Sequence, residues 1–176
     1  MKASKFVVIL AAAVFFLMGA ESSYAQMKIR YVNSQRILAE YPEAQEVQRK
    51  LDELRASYEK EYNQMLQQYD QLAKELQSQS LLLSPEKKAE KEKQLQELGM
   101  RIEQYRIQKL GPEGEYFQQN QKLTQPLFDK INRVIQQISQ DEGYDFVLDV
   151  VQGVVLYAKP EYDITDRILE ELKKGK

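Results

Sequence analysis

The chain has 176 residues, with 25 Lys plus Arg against 27 Asp plus Glu, and contains no His, Cys or Trp. Those absences exclude an imidazole base, a Ser-His-Asp triad, a thiol nucleophile, a disulfide, a lipid-modified cysteine and the usual ligands of structural zinc. No G-x-x-x-x-G-K-S/T loop is present either, so no catalytic, cofactor or metal residue is assigned and nucleotide-driven work is not expected.

Residues 1–25 have the form of a cleaved leader. Lys2 and Lys5 precede an apolar run from Phe6 to Met18, and Ser23 and Ala25 place small residues at −3 and −1 before Gln26. The run is shorter than the roughly 20 residues needed to cross a bilayer, so export with removal of the leader is expected, and no membrane span afterwards. The remaining chain stays mildly acidic, and no nucleic-acid partner is expected of it.

A short β-like run, Ile29 to Val32, ends at Asn33-Ser34, residues suited to capping a helix. From Pro42 to Gln140 the chain is polar, helical in pattern and rich in glutamine, with 19 in that span. Val47, Leu51, Leu54, Tyr58, Tyr62, Met65, Tyr69, Leu72 and Leu76 recur in steps of three and four, a heptad seam with one stutter near Tyr58. The pattern stops at residues 80–86, where Ser84-Pro85 supplies a cap and a first-turn proline.

A second seam runs through Leu95, Leu98, Ile102 and Tyr105 and resumes at Thr124, Phe128, Ile131, Ile135 and Ile138. Two such helices joined by a short break predict an antiparallel coiled-coil hairpin over residues 42–140 with its tip near 80–86. Within the return helix, Leu110-Gly111-Pro112-Glu113-Gly114 predicts a kink or restart.

The β-rich remainder, residues 26–41 and 141–176, forms the expected body. Asp145 to Val150, then Gln152-Gly153, then Val154 to Tyr157 predict a tight hairpin, giving about three strands in all. Asp163 caps a last amphipathic helix carrying Ile164, Ile168 and Leu172 on one face. Three short strands with a thin core are marginal alone, and their edges invite a second copy. Ile29, Val32, Phe146, Leu148, Val155 and Tyr157 are assigned to body packing and the subunit interface. The fold class is therefore α+β, mostly α.

The order of these parts resembles the Skp/OmpH family of periplasmic chaperones: a leader, a strand ending Val32-Asn33, a coiled-coil hairpin, Tyr144 to Asp149, and the closing Asp163-Ile164-Thr165 helix. The resemblance implies a homotrimer whose small sheets close into a β-barrel, with three helical arms around a cavity. It implies ATP-independent holding of unfolded outer-membrane proteins in the periplasm on their way to the outer-membrane assembly machinery. That family's arms are basic, whereas Pro42 to Gln140 here carries 15 basic and 16 acidic residues, so no lipopolysaccharide site is assigned.

Two groups are candidate client contacts. Tyr58, Tyr62, Tyr69 and Tyr105 lie on the seam, where coil packing competes with that role. Leu81, Leu82 and Leu83 cluster at the tip, as a plug for the turn or as a contact surface. The alternative function is a structural spacer or docking arm in a cell-envelope assembly. Paired-carboxylate enzymes need a cleft that a narrow coil does not supply.

Overall fold

The computed structural model describes residues 26–151, 153 and 155–175; the leader expected at 1–25 lies outside the described residues. Strand β1 (Ile29–Val32) leads into helix α1 (Ser34–Glu40), α2 (Pro42–Gln79) and α3 (Pro85–Tyr105). A π-helical turn, Arg106–Leu110, then precedes α4 (Glu115–Glu142), β2 (Phe146–Asp149), a 3-10 turn at Pro160–Tyr162 and α5 (Thr165–Lys174). The α+β, mostly helical reading is borne out.

Local chemistry sets the boundaries. The Asn33 side chain accepts from the Arg36 amide at 2.9 Å and starts α1. Ser84 does the same for Lys87 at the head of α3, with Pro85 in the first turn. Helix α4 ends at Gly143, whose φ of 67° costs little without a Cβ. Asp163, one residue before the Ile164 cap position, accepts from the Thr165 amide at 2.8 Å in a turn that leads into α5.

The two strands pair in parallel, Ile29 opposite Phe146 and Val32 opposite Asp149. Side chains alternate across a sheet, so Val32 and Val147 fall on one face while Ile29, Tyr31, Phe146 and Leu148 share the other. The first face packs on a core built from Ile37, Tyr41, Ala44, Leu127, Ile131, Ile138, Ile164, Ile168, Leu169 and Leu172. The foot of the hairpin is thus part of the body core. Arg30 lies against the rings of Tyr144 and Tyr162, at 4.7 and 5.3 Å from their centroids, tying β1 to both segments.

Gln152 and Val154 of the expected β-hairpin lie outside the described residues, and no strand is formed by the described residues that follow Gly153. Among the described residues the sheet has two strands, and Leu156 and Tyr157 are 95% and 84% exposed. An added strand needs a partner edge, and no other strand of the described chain lies beside β2.

The arm is an antiparallel pair whose two ends keep separate registers. Near the body, Lys130 bridges Glu43, and Glu115 lies against Tyr58, fifteen residues further out on both strands. Towards the tip, Tyr105 donates to Glu61 at 2.9 Å and Lys91 bridges Glu75 at 3.2 Å, fourteen residues apart on both strands. Between Tyr58 and Glu61, α2 advances three residues while the return strand uses the ten from Glu115 to Tyr105. The excess is seven residues, one heptad, so the break extrudes two helical turns and leaves the seam in phase.

Candidate functional site

The extruded heptad is held rather than loose. Gly111 approaches so closely that an added Cβ would collide with the Ile107 carbonyl oxygen, and at Gly114 it would meet three backbone atoms at 3.0 Å. Lys109 pairs with Glu115 and stands over the Tyr58 ring at 5.3 Å, closing the bulge on α2. Burial first, then the neighbouring Glu115 carboxylate, raises the Tyr58 phenol above its ordinary value. Burial and the hydrogen bond to Glu61 push the Tyr105 phenol up to about 12, so it remains a neutral donor to that carboxylate at physiological pH.

The four seam tyrosines serve the hairpin. Tyr58 is buried, while Tyr62, Tyr69 and Tyr105 are half buried. Tyr69 lies against Gly99, where a Cβ would come within 3.4 Å of its ring. The tip leucines divide: Leu83 is half buried, but Leu81 and Leu82 are 97% and 86% exposed. Two leucines projecting into water do not plug a turn; the turn is closed by backbone hydrogen bonds from Leu82 and Leu83 to the Gln79 carbonyl.

At the opposite end, Ile29, Phe146 and Leu148 are exposed on the sheet face that the core leaves uncovered. Val155 and Tyr157 border the same apolar hollow, with Tyr31 and Tyr162. Val32 differs: it is buried in the chain's own core. A soluble chain rarely leaves such a patch uncovered.

The geometry of foot and arm can be set beside known proteins. The family profile described as outer membrane protein (OmpH-like) matches residues 28–172. The chain belongs to the OmpH family. It is 25% identical over 156 residues to the chaperone protein Skp of Vibrio cholerae, spanning 89% of each chain. It is also 25% identical over 177 residues to the Skp-like protein of Pseudomonas aeruginosa, spanning 98% of each. An OmpH-like crystal structure from Caulobacter crescentus superposes with a TM-score of 0.71 at 19% identity, covering 85% of this chain and 86% of that one.

This OmpH chain also exposes residues that sequence reasoning missed. Val151 and Leu156 extend the uncovered apolar region of the foot. Their signal was the apolar residues on either side of Gln152-Gly153, a pattern that predicts paired strands. On the arm, Phe117 escaped notice, and Phe128, assigned to the seam, is exposed. Ile131 and Ile138 of the expected seam are buried, joined by Leu127 in place of Phe128, while Val134 and Ile135 are both partly buried against the core. Phe128 and Ile135 follow Leu127 and Val134 by one residue and keep the same spacing, so periodicity could not choose between the two stripes.

Proposed function

We propose that this protein is an exported, nucleotide-independent holdase chaperone of the periplasm. Copies join through the uncovered sheet face and the free edge of β2 into a homotrimer whose strands close a β-barrel. The three arms, each about 57 Å long from the 38 residues of α2, then enclose a space for unfolded outer-membrane proteins before their transfer to the assembly machinery. Family membership and the named chaperones among its relatives support the chaperone role. The observation that carries the reading is the pairing of an apolar, unpartnered foot with a long projecting arm.

The physics suits the task. Unfolded barrel proteins carry strands of alternating hydrophobicity that aggregate edge to edge in water. Many weak contacts between arms hold such a chain without fixing one conformation. Leu81 and Leu82 at the tips are candidates for those contacts, whereas the seam tyrosines are available only through their partly exposed edges.

Dilution of an unfolded outer-membrane barrel protein from urea, without nucleotide, tests the proposal by turbidity. Suppression of aggregation near one trimer per barrel chain is expected. A spacer or docking arm would leave the turbidity unchanged, and that result would overturn the holdase reading.

A further inference from the structure

The hairpin leaves one face of α4 only partly covered: Phe117 and Phe128 are exposed on it, while Thr124 is half buried and Ile135 packs at the edge of the body core. Taking 100° per residue, Phe117, Thr124, Phe128 and Ile135 form a single stripe, roughly a quarter-turn from the seam of Leu127, Ile131, Val134 and Ile138. Phe117 and Phe128 are each 45% exposed. At the root of the arm, Phe128, Asn132 and Ile135 line a groove with Leu38 and Val147. The stripe extends about 27 Å, the span of some eight residues of extended chain.

Its border is chemically distinct from the rest of the arm. Phe117 to Gln137 holds eight Gln or Asn residues and four charged ones, whereas α3, also 21 residues, holds three and ten. Gln121 and Asn132 flank the rings on the side away from α2, and among the described residues neither side chain is engaged in a hydrogen bond.

We propose that this stripe is where the arm holds an extended segment of unfolded polypeptide. Apolar side chains of the segment cover Phe117, Phe128 and Ile135, while its free backbone groups bond to the Gln121 and Asn132 amides. A chain of arbitrary sequence cannot place a counter-charge at every position, and burying an unpaired charge is costly. A carboxamide both donates and accepts, so it serves any backbone. A second copy of this chain is the weaker occupant, because Val147 lines the groove from the sheet face opposite Ile29, Phe146 and Leu148. The span also approaches the 9–11 residues of a transmembrane β-strand. The proposal rests on the holdase reading and adds the contact surface.

The test uses the chain from Gln26 to Lys176 and a dye-labelled, eight-stranded outer-membrane barrel diluted from urea. The double variant F117Q/F128Q should bind it at least about tenfold more weakly, a loss of ~1.4 kcal/mol, with the oligomer mass and far-UV spectrum of the parent. Unchanged affinity overturns the proposal, as does dissociation of the oligomer, which would make the stripe a subunit contact. Should the parent chain bind no barrel, the holdase reading fails and the stripe proposal falls with it; a parent that binds while the variant binds equally well removes the stripe alone. A photoreactive phenylalanine analogue at position 128 provides a second readout in a chain that keeps its aromatic side chain. It should crosslink to the barrel where the same group at position 137, on the far side of α4, does not; equal or reversed yields contradict the assignment.

Discussion

Replacing Ile168 with alanine is expected to destabilise the folded chain by about 2–5 kcal/mol, the range for deleting a fully buried branched side chain. Ile168 is fully buried on α5, within the core that joins Ile37 of α1, Ile138 of α4 and Leu172. That core is thin and packs the root of the arm against the sheet, so few neighbours can collapse into the space left behind. Urea unfolding followed by far-UV circular dichroism measures the loss. Chain concentration must be held fixed, because association is linked to folding. Leu81→Ala at the exposed tip should move the same curve by no more than about 0.5 kcal/mol. A loss below 1 kcal/mol for Ile168→Ala would mean that the body is held by something other than this core.

The second large effect concerns the extruded heptad. Excising the seven residues from Leu110 to Tyr116 should leave a folded arm, because seven residues are close to two turns and the seam continues in phase. Excising only Leu110 to Gly114 leaves two surplus residues, a rotation of roughly 200° between the two parts of the return helix. The distal seam of Leu98, Ile102 and Tyr105 could then no longer face Tyr58 while α4 stays docked in the body. Exposing those side chains should cost about 3–6 kcal/mol, which lowers the thermal midpoint by about 10 °C or more for a chain of this size. The seven-residue excision should stay within about 3 °C of the parent or exceed it. Equal losses in both variants would show that the bulge is not a heptad insertion.

The arm was legible in the sequence because one helix buries one stripe, and the steps from Val47 to Leu76 mark it without reference to anything else. The buried Leu51 and Tyr58 lie on that predicted seam. The helix starts at Asn33 and Ser84 were legible for a similar reason, since caps are local chemistry. Legibility failed where two partners compete. Helix α4 carries two apolar stripes one residue apart, and only the placement of α2 decides that Leu127 is buried and Phe128 is not. The parallel pairing of Ile29 with Phe146 joins segments more than a hundred residues apart, with no local signal to announce it. The hairpin expected at Gly153 differs again: its local turn signal is real, with φ at 69°, but the described residues beyond it form no strand.

The foot also explains why the site is spread out. Of the residues assigned to the subunit interface, Val32 is consumed by the chain's own core, while Ile29, Phe146, Leu148 and Tyr157 remain exposed. Alternation in β1 separates Val32 from Ile29, but the sequence does not say which face the chain keeps for itself.

The central claim is that this foot is completed by other copies of the same chain, and the molar mass in solution tests it most directly. Multi-angle light scattering of the chain from Gln26 to Lys176, at tens of micromolar and moderate salt, should return three times the mass of one chain. A mass of one chain under those conditions would contradict the account, leaving the apolar sheet face bare and the enclosed space between arms without walls.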